Sequence, residues 1–290
     1  MSWRTVVISS RCKLDYKMGY MVIRGEEVKR IHLDEIAVLI IENPAIALTG
    51  CLLERMTEKK IKIIFCDSRR NPCSEVMPYY GSHDCSRKLR QQISWSSEIL
   101  GVIWKYIVTD KIQKQAAHLG DRGKNKEANM LEAYANEVTP NDETNREGHA
   151  AKVYFNALFG REFSRRDAAD QINAALNYGY SIILSAFNRT VTICGYSTQL
   201  GIHHGNVFNC FNLSSDLMEP FRILVDRAVS AQEIGDLDKE LKMRLVNILN
   251  ETVMIGGTTQ TVSNAINIYC RSIFAAIESG DPDKIKTYSL

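Results

Sequence analysis

The first part of the chain alternates short apolar runs with turn residues. Residues 3–9 (WRTVVIS) and 13–23 (KLDYKMGYMVI) are rich in β-branched and aromatic residues, and VKRIHLDEIAVLIIEN continues the pattern. The segment ALTGCLLERMTEKK at 47–60 has apolar residues at helical spacing, and IKIIFCD returns to the pattern of a buried strand. Residues 1–82 are therefore predicted to form a small β-rich domain that contains one helix. Its apolar runs IAVLII and IKIIF have much surface to cover in so small a domain, so we expect a homodimer that forms through this domain.

The pattern changes after residues 78–84 (PYYGSHD), which have the Pro, Gly, Ser and Asp composition of a linker. The stretch SRKLRQQISWSSEILGVIWKYIVTDKIQKQAAHL then places apolar residues near a helical period. Residues 83–290 are predicted to form a larger, all-helical C-terminal domain, with polar connectors at 120–129 and 138–147. The expected fold class is α+β with two domains.

Composition indicates a folded protein that has neither a membrane span nor a signal peptide. A chain of 290 residues with 45% hydrophobic residues buries a sizeable core. The longest aliphatic run, at 36–41, is far shorter than the ~20 residues of a membrane span, and MSWRTVVISS lacks the pattern of a signal peptide. We therefore expect a soluble, cytoplasmic protein. The net charge is only +2, so an acidic partner has to meet a local basic patch.

The eight cysteines include no CxxC pair, which is typical of a reducing compartment. One local group, Cys66, Cys73, His83 and Cys85, matches no common zinc spacing, and it leaves a structural zinc site only as a minor alternative. The chain contains no GxxxxGK[ST], GxSxG or HExxH motif. The glycine-rich GGTTQ at 256–260 lacks the lysine of a phosphate loop.

The candidate chemistry is concentrated in HHGNVFNCFNLSSDLMEPFR, residues 203–222. Asp216 and Glu219 are three residues apart, so on a helix they share a face with Cβ atoms ~5–6 Å apart. Two such acids repel each other unless a cation lies between them. A helix start or a kink is predicted here, with Ser214 and Ser215 as plausible N-caps and Pro220 near a first turn.

Two interpretations of these acids remain open at the level of chemistry. Acids near a helix start often only complement the helix dipole on a solvated face. The flanking apolar residues argue against a solvated face, because carboxylates in apolar surroundings need a partner. Glu147, which opens the helical run HAAKVYFNALF, has the same two interpretations. Together Glu147, His204 and Glu219 form an oxygen and nitrogen set that suits Mg²⁺ or Mn²⁺.

Four segments in order carry a resemblance to a known family: EGHAAKVYF, NAALNYGYSIIL, LGIHH and SSDLMEPFRILVD. The chain resembles the CRISPR-associated spacer-acquisition integrase, and it looks most like the type II branch found in Gram-positive bacteria. The resemblance covers the whole chain. It implies an N-terminal β-rich domain and a larger helical C-terminal domain.

The resemblance also implies roles for individual residues. Glu147, His204 and Glu219 become the metal ligands, with His203 as a neighbour, and Asp216 becomes an accessory catalytic acid. Lys152 stands where many family members have Arg, which leaves its role open. The implied DNA-binding residues are Lys152, Arg161, Arg165, Arg166 and Arg222. The implied supporting residues near the site are Tyr154, Asn173, Asn177 and Tyr178.

The activity implied by the resemblance is integration of a prespacer into a CRISPR array. The 3′-hydroxyl of the DNA attacks a phosphodiester at the edge of a repeat, with Mg²⁺ or Mn²⁺ as the cofactor. Residues 87–127 hold nine Lys or Arg against four acids, a surplus that favours contact with DNA phosphates. Solvated helix faces explain the individual charges equally well.

The implied partners are double-stranded DNA, a second copy of the chain, and a small CRISPR-associated partner dimer that bridges two integrase dimers. In type II systems the effector nuclease and an accessory protein join them. Two other functions remain as alternatives. One is a metal-dependent endonuclease that hydrolyses DNA with water as the nucleophile, and the other is a non-catalytic helical DNA-binding scaffold in which the acids are caps.

Overall fold

The structure is a computed structural model that describes residues 4–68, 70, 72–76, 82–167, 170–231 and 237–289. Its N-terminal part consists of strands and one helix, as the sequence predicted. The elements are β1 (Arg4–Ile8), β2 (Lys13–Lys17), β3 (Tyr20–Arg24), β4 (Val28–His32), β5 (Ile36–Ile41), β6 (Ala47–Leu48), α1 (Gly50–Glu58), β7 (Lys62–Cys66) and β8 (Pro72–Val76).

These strands form two four-stranded sheets. The first has the order β1-β5-β7-β8, in which β5 is parallel to both of its neighbours and β8 is antiparallel to β7. The second has the order β4-β3-β2-β6. Every residue of β5 is buried, because a central strand of a sheet that is covered on both faces meets no solvent.

The two faces of the first sheet belong to different cores. Leu39, Ile41 and Ile63 pack into an N-terminal core with α1. Ile40 and Ile64, whose side chains alternate to the other face, belong to a core that extends through the C-terminal helices. The first sheet is therefore the layer that joins the N-terminal part to the helices.

The part after residue 82 is mostly helical. Its helices are α2 (Cys85–Ile93), α3 (Ser97–Asp121), α4 (Asn125–Asn136), α5 (Arg146–Phe159), α6 (Gln171–Ile193), α7 (Asn212–Leu217), α8 (Arg222–Ser230), α9 (Lys239–Asn247) and α10 (Val262–Ser279). The long helix α3 packs against α4, α5, α8 and α10, while α6 packs against α8, α9 and α10. The predicted α+β fold class with a β-rich N-terminal part is confirmed.

The prediction that the C-terminal part is all-helical is wrong in one place. A three-stranded sheet joins β9 (Thr252–Ile255), β10 (Thr258–Thr261) and β11 (Tyr288–Ser289) in the order β10-β9-β11. Gly256 and Gly257 connect β9 to β10 with φ values of 59° and 76°. Two residues with positive φ form the tight turn that a hairpin favours, so GGTTQ is a hairpin signal.

The division at residue 83 remains a prediction. Residues 77–81, which include most of the predicted linker, lie outside the described residues. No helix among the described residues is both long enough and apolar enough to span a membrane.

Candidate active site

Three elements that are distant in sequence bring two carboxylates to one buried lysine. The ammonium of Lys111 on α3 donates to Glu147 Oε1 on α5 at 2.6 Å and to Glu219 Oε2 at 2.5 Å. Lys111 and Glu219 are buried. This arrangement is a cation site in which the cation is a side chain.

The position of Glu147 is fixed by the start of α5. Glu147 is the second residue of this helix, as the sequence predicted for a first-turn acid. Asn145 caps the helix by accepting from the Gly148 N–H at 3.2 Å. The buried carboxylate of Asp142 accepts from the N–H groups of Arg146 and Glu147 at 2.8 and 2.9 Å. These bonds satisfy the free N–H groups that a helix start always has.

Glu219 opens a short 3₁₀ helix, Glu219–Phe221, between α7 and α8. Its Oε1 accepts from Arg222 Nε at 2.8 Å, while its other oxygen meets Lys111. Burial raises the pKa of Glu219, but the cationic groups of Arg222 and Lys111 outweigh this effect and lower the pKa to about 2. Glu219 is therefore an ionised carboxylate in a buried position.

A layer of polar side chains lies next to the Glu147 and Glu219 carboxylates. The Arg222 guanidinium lies 4.7 Å from the centre of the Tyr180 ring, and the Tyr180 hydroxyl donates to Asp226. Burial raises the pKa of Asp226 to about 6. Tyr154 belongs to this layer because its hydroxyl interacts with Asp226, and the same hydroxyl lies 2.8 Å from His118 Nδ1.

Asp216 holds His204 and the loop that carries it. This carboxylate is fully buried, and it accepts from the backbone N–H groups of Ile202 and His203 at 2.7 and 2.9 Å. It also meets His204 Nδ1, which leaves Nε2 as the free ring nitrogen. The hydrogen bond to Asp216 raises the pKa of His204. A carboxylate behind the imidazole of a metal ligand orients the ring and strengthens it as a donor.

The loop passes so close to Asp216 that Gly201 has no room for a side chain. A Cβ atom there would lie 2.3 Å from the His204 carbonyl oxygen and 2.8 Å from Asp216 Oδ2. The ring of His203 stacks on Trp104, with ring centres 4.5 Å apart and planes 1° apart. His203 is therefore a packing neighbour of the site.

Asp216 and Glu219 share no cationic side chain among the described residues. Helix α7 ends at Leu217, and the two acids bind different partners on either side of this break. The predicted caps are wrong. Ser214 and Ser215 lie inside α7, which begins at Asn212.

His204 lies near the carboxylate pair. The charges of Glu147 and Glu219 both act on the His204 imidazole and raise its pKa, after the larger contribution of Asp216. Within the described residues, however, no group of three His, Cys, Asp or Glu side chains is close enough to hold one metal ion. The Glu147 and Glu219 carboxylates converge on the Lys111 ammonium instead. The donor types nevertheless fit a hard divalent cation, with two carboxylate oxygens and one imidazole nitrogen.

The predicted supporting residues separate into two places. Asn173 is buried and donates to the carbonyl oxygens of Ser164 and Asp167, so it fixes the turn that carries Arg165. Asn177 accepts from Arg165 at 2.8 Å. Arg165 in turn borders a cavity of about 160 Å³ that also meets Glu147 and Glu219.

Tyr178 lies away from these groups, which corrects its placement near the site. Its ring is 5.3 Å from Lys242 Nζ, and it borders a cavity of about 310 Å³ with Thr5 and Glu42. Tyr178 and Tyr180 are two residues apart on α6, so they occupy different faces of this helix.

The predicted DNA-binding residues differ in exposure. Lys152, Arg161 and Arg166 are exposed, whereas Arg165 and Arg222 are half-buried and bonded to the groups described above. Lys111 and Lys114 from the basic stretch 87–127 are also paired with acids. The positive charge of this stretch that is available to DNA phosphates is therefore smaller than the sequence indicates.

The zinc alternative has no support in the described residues. All eight cysteines are free thiols, and no cluster with three metal-binding side chains includes them. Cys66 and Cys73 lie on the neighbouring strands β7 and β8, while Cys85 hydrogen-bonds to the backbone of Ser82.

Sequence reasoning missed several residues of the site. Tyr180 and Asp226 stand inside the segments NYGY and LVD, but apolar neighbours made them resemble core positions. Lys111 was counted among surface charges, because its partners are 36 and 108 residues away in the sequence. The missed residues are Lys111, His118, Tyr180 and Asp226, together with Gln115, which lines the same cavity as Glu147 and Glu219.

Comparison with known proteins identifies the family. The family described as "CRISPR associated protein Cas1" matches residues 5–234. A "CRISPR-associated endonuclease Cas1" from Neisseria meningitidis serogroup C (strain 8013) is 34% identical over 292 residues, which cover 99% of this chain and 96% of the relative. The chain belongs to the Cas1 family.

Solved structures agree with the Cas1 fold. The chain in "Casposase bound to integration product" superposes with a TM-score of 0.78 at 20% identity, over 97% of this chain and 92% of that chain. A chain of the "Cas6-RT-Cas1--Cas2 complex" superposes with a TM-score of 0.76 at 17% identity over 97% of this chain. This protein spans 36% of that longer chain. At these identities the likeness shows the fold alone.

Proposed function

We propose that this Cas1 family member is a DNA integrase that inserts prespacer DNA into a CRISPR array. In this reaction a DNA 3′-hydroxyl attacks a phosphodiester at the edge of a repeat, and one phosphodiester replaces another. The observation that carries the proposal is the convergence of Glu147 and Glu219 on one buried cation beside His204. Phosphoryl transfer needs positive charge held at such a point.

Glu147, Glu219 and His204 Nε2 are the groups that hold Mg²⁺ or Mn²⁺ in this proposal. When bound, the divalent cation supplies the charge that activates the attacking hydroxyl and stabilises the leaving oxygen. Asp216 keeps Nε2 directed outward by engaging Nδ1. Arg222 keeps Glu219 ionised and fixed in position.

The side chains near the site make poor nucleophiles, which supports a nucleophile supplied by DNA. Burial raises the pKa of the Tyr154 and Tyr180 hydroxyls well above the usual value. Both hydroxyls are also engaged, Tyr154 with His118 and Tyr180 with Asp226. A hydroxyl with a raised pKa and an occupied proton attacks a phosphate slowly.

The partners belong to the same proposal. The exposed Lys152, Arg161 and Arg166 are DNA phosphate contacts, with Arg165 and Arg222 nearer the reacting phosphate. A second copy of the chain and a small Cas2-type partner dimer complete the assembly, by analogy with the Cas6-RT-Cas1--Cas2 complex. The effector nuclease and an accessory protein are further partners of a type II system.

A joining assay tests the proposal against its alternatives. Labelled prespacer DNA is incubated with protein and a supercoiled plasmid that carries a repeat, with Mn²⁺, Mg²⁺ or EDTA. An integrase transfers the label to the plasmid only when a metal is present. Cutting without transfer would favour the hydrolytic endonuclease. DNA binding without either reaction would favour the scaffold.

A further inference from the structure

The loop after His204 presents two large apolar side chains to solvent. Val207 is 89% exposed and Phe208 is 92% exposed, and they are consecutive. They are the two most exposed of the large hydrophobic residues described. Scattered exposed apolar residues are normal, but an adjacent pair at this exposure contributes almost nothing to the folded core.

The loop holds this pair in a defined position. Asn206 Oδ1 accepts from the Phe208 N–H at 3.0 Å, and the Asn206 carbonyl accepts from Asn212 Nδ2 at 2.9 Å. Asn209 Oδ1 accepts from the Phe211 N–H at 2.9 Å, and Thr198 donates to the Cys210 carbonyl at 2.8 Å. The backbone on both sides of the pair is therefore fixed to Asn212 at the start of α7 and to Thr198 before the loop.

We infer that Val207 and Phe208 form an apolar wedge that contacts a nucleobase beside the phosphodiester held at the site. The inference rests on the proposed function. The pair follows His204 by three and four residues, so a DNA strand whose phosphate is held at His204 can bring a neighbouring base to it. Residues 203–211 contain no acid, so this surface does not repel a phosphate chain.

The chemistry of the pair fits a base better than it fits a phosphate. A phenyl ring stacks on the face of any base, and apolar side chains inserted at a base step kink DNA. A kink exposes the backbone at that step, which helps an in-line attack on the phosphorus. The partner is therefore an unstacked base at the junction that the reaction forms.

The test uses a branched DNA that imitates the half-joined product, with 2-aminopurine beside the branch. Binding is measured in EDTA, so that no reaction occurs. The Phe208→Ala variant should bind this DNA about tenfold or more weakly, and it should lose the fluorescence change that the parent gives. Binding of a fully paired linear duplex should change less than twofold, about the scatter of such assays.

Two further variants make the result specific. Phe208→Trp should restore binding, because tryptophan stacks at least as well as phenylalanine. Ile93→Ala removes a side chain on α2 that is 69% exposed, and it should behave as the parent. Melting temperatures of all variants should match the parent, since these side chains are largely outside the core.

Unchanged affinity and unchanged fluorescence in Phe208→Ala would overturn the inference. It would equally be overturned if this variant bound DNA normally but lost association with a protein partner. The proposed function is judged separately by the joining assay on the parent. If the parent protein shows the fluorescence change on binding but never joins DNA, the wedge is supported and the integrase function is rejected.

Discussion

At the scale of single residues, Lys111 is the group whose chemistry most affects the site. Its ammonium neutralises Glu147 and Glu219, which would otherwise repel each other. Burial lowers the pKa of Lys111, but the two carboxylates outweigh this effect and raise the pKa. In the proposed function the lysine and a divalent cation therefore compete for the same carboxylate oxygens.

Replacing Lys111 with Met should separate these two roles. Without metal the variant should lose about 3–5 kcal/mol of unfolding free energy, because the buried Glu219 and the half-buried Glu147 lose the ammonium that lies between them. Mn²⁺ should then raise its melting temperature by more than it raises that of the parent. Lys114→Met, which breaks the neighbouring pair with Asp110, is the control and should show the parental response to Mn²⁺. A smaller Mn²⁺ response in Lys111→Met would show that the lysine and the metal do not compete.

A second residue-scale prediction concerns His118. Burial lowers the pKa of this imidazole to about 4, helped by Arg227 and Arg122. Below the usual pKa of about 6.5 the unfolded chain binds a proton that the folded chain does not bind. The contribution of His118 to the unfolding free energy is therefore fully present above pH 6.5 and is lost as the pH falls towards 4. The loss is at most about 1.4 kcal/mol per pH unit.

Urea unfolding of His118→Gln between pH 7 and pH 4 measures this contribution. The difference in unfolding free energy between parent and variant should shrink as the pH falls through this window. A difference that is independent of pH would mean that His118 titrates normally in the folded protein.

At the scale of elements, the short strand β11 holds the turn that carries Glu219. The Tyr288 hydroxyl donates to the Pro220 carbonyl at 2.9 Å, and its ring centre lies 4.3 Å from that of Phe221. The strand is fixed in turn by pairing with β9. Strand β11 therefore positions Glu219 through the two residues that follow it, Pro220 and Phe221.

Tyr288→Phe removes only the hydroxyl and leaves the Pro220 carbonyl without its partner, at a cost of about 1–3 kcal/mol. We expect weaker Mn²⁺ binding by calorimetry and strand transfer slowed about tenfold to a hundredfold, as for a small displacement of a catalytic group. Tyr269→Phe is the matched control. The Tyr269 ring also packs on Phe221, and its hydroxyl has no partner in the described part of the chain. If both variants lower Mn²⁺ binding and strand transfer equally, the Tyr288 hydroxyl does not position Glu219 and the residue acts only by packing.

The sequence predicted elements better than it predicted the contacts between them. The long helices and the first strands follow from periodicity, which is a local property. The sheet of β9, β10 and β11 escaped detection because two of its strands have four residues and the third has two. The partners of Lys111 escaped because no local pattern joins residues 108 positions apart.

At the scale of the whole molecule, the predicted reason for dimerisation is wrong. The apolar strands β5 and β7 were expected to need a second copy to cover them. Both are covered within one chain, by the N-terminal core on one face and by the helices on the other. The dimer itself remains a prediction, now based on exposed apolar residues of the second sheet and its β2–β3 turn: Met18, Tyr20 and Val28.

Val28→Glu tests this revised interface. Val28 begins β4, an edge strand of its sheet, and is 58% exposed. A charge in an apolar interface disfavours association, so sedimentation at micromolar concentration should shift from dimer to monomer. Met254→Glu, at a residue that is 42% exposed on β9, should leave the parental sedimentation unchanged. A dimer that persists in Val28→Glu would place the interface elsewhere.

The central claim is that the carboxylates held by Lys111 are the catalytic ligands of a DNA integrase. The most direct measurement is the rate of strand transfer by Glu219→Gln in Mn²⁺, beside Glu143→Gln, which changes an exposed acid before α5. Loss of a metal ligand should slow strand transfer by roughly a thousandfold or more, while the control should keep the parental rate. Strand transfer by Glu219→Gln at near the parental rate would contradict the assignment of this site.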